Sequence, residues 1–104
     1  KYLDYFQNIW QEIARTRDFF IAGLKDLNII VLPSKANFVL VDFTTEEKAR
    51  KIWHFLREEK VFVVAGWEQE FSGLDKQYIR FTIGNREEMS LVLELLKRFS
   101  GNTS

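Results

Sequence analysis

The sequence predicts an α+β (α/β) two-layer sandwich, in which helices cover one face of a four-stranded sheet. Residues 78–83, "YIRFTI", place apolar Ile79, Phe81 and Ile83 at every second position, which is the period of a strand with one buried face. Other stretches have the three-and-four spacing of amphipathic helices. Along the chain these patterns predict the order α-β-β-α-β-β-α.

The composition indicates one domain with one core. The chain has 104 residues, of which 46% are hydrophobic and 15% aromatic, and this content argues against disorder. Lys plus Arg and Asp plus Glu both number 15. A balanced charge gives no long-range attraction to nucleic acid or to an anionic membrane, so we expect neither partner.

Cysteine content and apolar runs limit the class further. The chain has no cysteine, which excludes disulfides and thiolate metal sites and fits a reducing compartment such as the cytoplasm. Its apolar runs are far too short for a membrane span, and no signal peptide is visible. Because the chain begins "KYLDYF" without an initiator Met, we expect a piece of a longer protein.

The first element is a long helix from Tyr2 to Leu27. A coiled coil would explain its spacing, but Gly23, an interruption at Arg17 and apolar residues on the opposite side favour a helix laid across a domain. Such a helix would contact more than one structural unit. We expect it to end at Asn28. The main apolar series is Leu3, Phe6, Trp10, Ile13, Phe20, Leu24 and Leu27, and the opposite side carries Tyr5, Ile9 and Phe19.

Two strands and a helix follow. Pro33 and Ser34 separate the strands in "IIVLPSKANFVLVDF". The second strand, Asn37 to Phe43, is apolar on both faces and is therefore predicted to be central. Thr44 and Glu47 form a predicted capping box for the next helix. The buried stripe of that helix is Ala49, Ile52, Trp53 and Leu56.

The last part of the chain repeats this order. "VFVV", Val61 to Val64, is the predicted third strand, and a loop at 65–77 with two glycines leads to the fourth strand, Tyr78 to Ile83. Asn85 and Glu88 form a second capping signal. The stripe of the final helix is Met89, Val92, Leu93 and Leu96, followed by a frayed tail at 100–104.

Most enzyme signatures are absent from the sequence. No glycine-rich phosphate loop is present. His54 is the only histidine, and with no Cys or second His it is predicted to be a helix residue and not a metal ligand. Ser34 and Ser72 have no base nearby in the sequence, so nucleophilic catalysis has no support. Composition and spacing alone lead no further than a globular α/β domain.

Arg80 is the exception, because its position is specific. If helices cover the Ile79 and Phe81 face, Arg80 points to the opposite face, and a buried guanidinium needs a partner because it keeps its charge. The pattern allows a solvated arginine or one paired with Asp42 or Asp75. It also allows a bidentate clamp for a carboxylate or phosphate from outside the chain.

Three stretches resemble a known family when they are taken in order: "VLPSKANFVLVDF", "KIWHFLREEKVFVV" and "YIRFTIGNREEMSLVLELLKRF". They resemble the C-terminal small domain of fold-type I, pyridoxal-phosphate-dependent aminotransferases of class I/II, especially the histidinol-phosphate aminotransferases. The resemblance covers nearly the whole chain. It implies that 1–27 is a long interdomain helix, that 28–100 is the sheet with its covering helices, and that the large cofactor-binding domain is not in this chain.

The resemblance also implies roles for single residues. Arg80 would hold the substrate carboxylate. Asn37 would lie near the same cleft, or be an ordinary polar residue at a strand start. Trp67 would line a side-chain pocket, or anchor the 65–77 loop. No catalytic, cofactor-binding or metal-binding residue is expected in this fragment, which would be inactive alone.

For the whole enzyme, the resemblance implies pyridoxal 5′-phosphate held by the large domain, amino-acid and 2-oxo-acid substrates, a homodimer and a cytoplasmic location. Two departures leave alternatives open. The second arginine expected after the third strand, a phosphate ligand, is replaced by "VVAGWEQE". "FSGLDKQYIR" resembles threonine-phosphate decarboxylase of cobalamin biosynthesis, which has the same fold and cofactor. A non-enzymatic ligand-binding or interaction module is the remaining alternative.

Overall fold

The structure is a computed structural model that describes residues 2–32, 37–61, 63–65 and 76–102. The α+β class predicted from the sequence is confirmed. The elements in chain order are α1 (Tyr2–Asp26), β1 (Ile30–Leu32), β2 (Phe38–Asp42), α2 (Glu46–Glu58), β3 (Val64–Ala65), β4 (Tyr78–Thr82) and α3 (Arg86–Asn102).

The strands form one antiparallel sheet with the order β1-β2-β4-β3. β2 and β4 therefore have a hydrogen-bonded neighbour on each side. Leu40 lies opposite Arg80 on one side of β4, and Val64 lies opposite Arg80 on the other. This pairing holds the backbone of Arg80 from both edges.

The two faces of the sheet differ sharply in burial. Val39, Val41, Ile79 and Phe81 are buried and belong to a core cluster to which all three helices contribute. Residues directly opposite in a ladder share a face, so the alternate positions form a second, partly exposed face. We call this the outer face, and its members are Ile30, Leu32, Phe38, Leu40, Asp42, Tyr78, Arg80 and Thr82.

Helices α1 and α3 approach each other closely at Gly23. A Cβ atom at this position would lie 2.5 Å from Cδ1 and 2.9 Å from Cδ2 of Leu93. Nearer the start of α3, the guanidinium carbon of Arg86 lies 4.1 Å from the centroid of the Phe19 ring. These two contacts join α1 to α3. Farther toward the N-terminus of α1, Trp10 is 60% exposed, although the sequence places it in the apolar series.

α1 ends as its sequence predicts. Asn28 has φ 61, its N–H donates to the Lys25 carbonyl at 2.9 Å, and the Ile29 N–H donates to the Leu24 carbonyl at 3.0 Å. This is the hydrogen-bond pattern of a helix that stops at a left-handed residue. The helical residues end at Asp26, one before the predicted end.

The predicted third strand, Val61 to Val64, is wrong at its start. Phe62 is outside the described residues, and of the described ones Val61 and Val63 are not in a strand, whereas Val64–Ala65 are. The end of α2 explains the difference. Lys60 has φ 64, and the Val61 N–H donates to the Leu56 carbonyl at 2.8 Å. Val61 therefore belongs to the C-terminal cap of α2 and packs on the core. The sequence "VFVV" predicts a strand because such residues are common in strands, and it does not indicate this capping role.

The predicted capping box of Thr44 and Glu47 is also wrong, by one residue. Thr45 is the N-cap of α2, and its Oγ1 accepts the Lys48 N–H at 3.1 Å. Thr44 has φ 72 and donates its N–H to Asp42 Oδ1 at 2.8 Å. An N-cap residue needs extended backbone, so the left-handed turn at Thr44 moves the cap to the next residue.

The second capping signal is confirmed. The Asn85 N–H donates to Glu88 Oε1 at 2.9 Å, and the Glu88 N–H donates to Asn85 Oδ1 at 2.8 Å. α3 continues to Asn102, so most of the predicted tail is helical, and Leu95 joins the buried stripe. Within the described ranges, no helix has the length and apolar character needed to span a membrane.

The reciprocal cap of α3 leads to a stability prediction. Asn85→Ala removes the acceptor for the Glu88 N–H, so we expect a loss of about 1 kcal/mol in the free energy of unfolding, measured by urea titration. Ser90→Ala is the control, because Ser90 is exposed in the same helix and its loss should change stability by less than about 0.5 kcal/mol. Equal effects of the two changes would contradict a stabilising cap.

Candidate functional site

Arg80 lies in the middle of β4, between two core residues. Its neighbours Ile79 and Phe81 are 0% and 1% exposed, so they fasten the strand to the core face. Hydrogen bonding to β2 and β3 holds the same segment from both sides. The Arg80 side chain therefore projects on the outer face from a backbone that is held in place. Binding residues on such regular strands are positioned more accurately than residues on loops.

The guanidinium of Arg80 lies over an aromatic ring. Its central carbon is 5.3 Å from the centroid of the Phe38 ring, which is within the range of cation–π attraction. Arg80 as a whole is partly exposed, but its Nε atom is buried. The cation is therefore half enclosed in the outer face, and it is not a freely solvated strand arginine.

Asp42, one of the two acids that the sequence offered as partners for Arg80, lies on the outer face opposite Tyr78. Its Oδ1 accepts the Thr44 N–H at 2.8 Å. This carboxylate therefore stabilises the turn that leads into α2. Asp75, the other acid, is outside the described residues.

Asn37 and Trp67 are the weaker site candidates. Asn37 is exposed just before β2, and its carbonyl accepts the Ile83 N–H at 2.7 Å. It lies three residues before Leu40, which is opposite Arg80, so the two backbones are roughly 10 Å apart along the strand. Trp67 and most of the 65–77 loop are outside the described residues, so the pocket suggested for them stays a prediction.

His54 lies exposed on α2, where its ring meets that of Trp53 edge-on at a centroid distance of 4.9 Å. α2 packs on the core side of the sheet, through Ala49, Ile52 and Leu56. His54 and Arg80 are thus on opposite sides of the sheet. In the described part of the chain, no group of three or more His, Cys, Asp or Glu side chains could hold a metal ion.

Sequence reasoning did not single out Phe38, the residue that contacts Arg80. The "A-N-F" stretch contains it, but nothing in the alternation of β4 shows which β2 residue lies beside Arg80. The register supplies that information. Leu40 is directly opposite Arg80, and Phe38 is two residues away on the same face, which is the diagonal position that a long side chain can reach.

Comparison with known proteins agrees with this fold. The family model described as aminotransferase class I and II matches residues 1–96. Histidinol-phosphate aminotransferase of Crocosphaera subtropica is 36% identical over 103 residues, which are 99% of this chain and 28% of that protein.

Two solved structures have the same arrangement. Histidinol-phosphate aminotransferase of Clostridium acetobutylicum matches with a TM-score of 0.81 and 27% identity, over 98% of this chain and 30% of that one. The Sinorhizobium meliloti enzyme of the same name, solved with pyridoxal-5′-phosphate, matches with a TM-score of 0.75 and 24% identity, over 93% of this chain and 27% of that one. At that identity, the second likeness shows the fold alone.

The chain therefore belongs to the class I and II aminotransferases. Its similarity to enzymes named histidinol-phosphate aminotransferase extends over almost all of its length. It spans less than a third of the length of those relatives.

The described residues do not fit covalent binding of a pyridoxal cofactor. Such a cofactor needs a lysine that faces the reacting groups. All lysines with described side chains are exposed, and the outer face contains none of them. They are Lys25, Lys48, Lys51, Lys60, Lys76 and Lys97. No chemical step is therefore assigned to a lysine of this part of the chain.

The position of His54 leads to a prediction about activity. If the full-length product of the gene that encodes this chain is an enzyme whose site includes Arg80, we expect His54→Ala to keep its kcat within about two-fold, because the imidazole lies across the sheet from Arg80. Steady-state kinetics with matched cofactor loading would measure this. A ten-fold loss of kcat in a normally folded variant would instead give His54 a catalytic role.

Proposed function

We propose that this chain is the C-terminal domain of a pyridoxal-phosphate-dependent aminotransferase of the histidinol-phosphate type, in which Arg80 binds the substrate carboxylate. The observation that supports it most directly is a half-enclosed guanidinium on an interior strand, on the sheet face opposite the core to which the described helices contribute. The enzyme transfers an amino group between an amino acid and an oxo substrate. This domain contributes to binding and is inactive alone.

The chemistry of Arg80 suits a carboxylate. A guanidinium presents its N–H donors in a planar fork that matches the two oxygens of a carboxylate, and it stays charged at any physiological pH. Each charge-assisted hydrogen bond contributes about 1.5–3 kcal/mol. Two such bonds from a fixed strand hold the substrate in one orientation, and correct orientation lowers the barrier of the reaction that follows.

Exposed apolar residues support the domain assignment. Ile9 and Trp10 on α1 are 37% and 60% exposed, and Ile30 on the outer face is 51% exposed. Large apolar side chains on two separate surfaces are typical of a domain that contacts another body. Residues 1–27 are thus proposed as the helix that joins the two domains, and 28–100 as the small domain itself.

The cofactor belongs to the part of the enzyme that this chain lacks. Pyridoxal 5′-phosphate supplies an electron sink for the reaction at the substrate Cα. The residues described here bind and orient the carboxylate, and Asn37 and Trp67 are proposed as further contacts at the edge of the cleft. A homodimer, a cytoplasmic location and a role in histidine biosynthesis are part of the same proposal, supported by the resemblance to histidinol-phosphate aminotransferases.

The substrate side chain is less defined than the carboxylate. The sequence after β3, "GWEQE", contains no arginine where the resembling enzymes are expected to hold a phosphate. Threonine-phosphate decarboxylase is the second candidate, and it rests on the similarity of the "FSGLDKQYIR" stretch. Release of CO2 from an amino-acid substrate, without transfer of its amino group to an oxo acid, would favour this second candidate.

The cofactor class is tested with the full-length gene product. We expect it to take up pyridoxal 5′-phosphate with a visible absorption band, and borohydride reduction should fix the cofactor to a lysine outside these 104 residues. Peptide mass spectrometry would locate that lysine. A product that binds no pyridoxal phosphate would contradict the proposal and favour a non-enzymatic module.

The carboxylate clamp is tested by substitution. Arg80→Ala in the full-length enzyme should lower kcat/KM at least ten-fold, on the order of 1.4 kcal/mol or more. Arg80→Lys should also be impaired, because a point charge does not replace a planar fork. Arg98→Ala is the matched control, since Arg98 is exposed on α3 and pairs with Glu94. Equal kcat/KM in the Arg80→Ala and Arg98→Ala enzymes would refute the assignment.

A further inference from the structure

We propose that Phe38 is a positioning residue for Arg80: its ring holds the guanidinium by cation–π attraction and so presents the N–H fork to the substrate carboxylate. This inference rests on the proposed function, because it presumes that Arg80 is the clamp. It adds a second residue to the binding site, from a different strand. Phe38 itself need not touch the substrate.

The register places Phe38 where it can act on Arg80. Phe38 lies opposite Thr82, and Leu40 lies opposite Arg80, so Phe38 and Arg80 are diagonal neighbours on the outer face. Their ring-to-guanidinium distance of 5.3 Å is short enough for cation–π attraction. The buried Nε atom shows that the stem of Arg80 is enclosed up to the start of the guanidinium.

Phe38 is itself held firmly. The next residue, Val39, is 0% exposed, which fastens the start of β2 to the core. The hydrogen bond from the Ile83 N–H to the Asn37 carbonyl, at 2.7 Å, extends the β2–β4 pairing beyond Phe38. Pairing with β4 therefore holds the β2 backbone both before and after Phe38 along the strand. Arg80 lies on β4 itself.

An aromatic support has a chemical advantage over an acidic one. A carboxylate that paired with Arg80 would occupy N–H donors and offset the charge that attracts a substrate. Asp42 lies at the other diagonal position, and its Oδ1 accepts the Thr44 N–H. A ring attracts the cation through its quadrupole and uses none of the in-plane donors for a conventional hydrogen bond. Phe38 thus restricts the rotamers of a long side chain without using its in-plane N–H donors.

The test measures carboxylate binding in the full-length enzyme loaded with pyridoxal phosphate. L-Glutamate alone is mixed with the enzyme, and the change in cofactor absorption gives an apparent Kd and a maximal rate for the half-reaction without an acceptor. The variants are Phe38→Leu and Phe38→Met, which keep an apolar side chain but remove the ring, and Phe38→Tyr, which keeps the ring. Each is made in the wild-type and Arg80→Ala backgrounds.

We expect Phe38→Leu and Phe38→Met to raise the apparent Kd by about 3- to 30-fold, and Phe38→Tyr to restore it to within about two-fold of wild type. In the Arg80→Ala background, removing the ring should change Kd by less than about two-fold, because the partner is already gone. This dependence on Arg80 separates positioning from general packing, which would weaken binding in both backgrounds. A variant that does not fold is replaced by the other apolar one.

The outcomes separate the two proposals. If Arg80→Ala weakens glutamate binding and Phe38→Leu does not, the positioning role is wrong and the carboxylate clamp stands. If Arg80→Ala leaves glutamate binding unchanged, the clamp itself is wrong, and the role of Phe38 is lost with it. If loss of the ring weakens binding equally in both backgrounds, or Tyr does not restore it, Phe38 acts through packing and the inference is overturned.

Discussion

The antiparallel pairing of β2 with β4 is the constraint on which the rest of this structure depends. Its register runs from Phe38 opposite Thr82 to Asp42 opposite Tyr78. This one alignment directs Val39 and Phe81 into the core and leaves Arg80 on the outer face. Because strand side chains alternate with a period of two, a slip of one residue would bury the guanidinium and expose the core residues. The hydrophobic core therefore selects the sheet face on which Arg80 lies.

The helices complete this division by covering a single face. α1 and α3 come close at Gly23, where a side chain would collide with Leu93, and Phe20 and Leu24 of α1 reach the core. All three helices contribute to one cluster with Val39 and Phe81. The core side chains of the described helices therefore lie on the Val39 and Phe81 face, opposite Arg80.

The sequence could predict the elements and the faces because periodicity is a local property. The alternation around Arg80 and the reciprocal cap of Asn85 and Glu88 both appear within a few residues. The errors came from backbone geometry that residue types do not specify. Thr44 and Thr45 are equally good caps by composition, and only the left-handed turn at Thr44 chooses between them. Val61 resembles a strand residue until its N–H is found to close α2.

The contact between Phe38 and Arg80 was not predictable for a different reason. The two residues are 42 positions apart in the chain (80 − 38), and their proximity depends on the relative register of two strands, which depends on all the side chains packed beneath them. Strand periodicity could place Arg80 on a face but could not choose its neighbour.

The partial exposure of the outer face also affects how strongly Arg80 would attract a carboxylate. Phe38 and Leu40 on β2 place apolar surface beside Arg80, and Leu32 extends it onto β1, opposite Leu40. If a further domain covers this face, as the proposed function requires, water is removed from around the guanidinium. Electrostatic attraction between a guanidinium and a carboxylate grows as the local dielectric constant falls. Closure would then strengthen binding of a carboxylate, so substrate binding and domain contact would depend on each other.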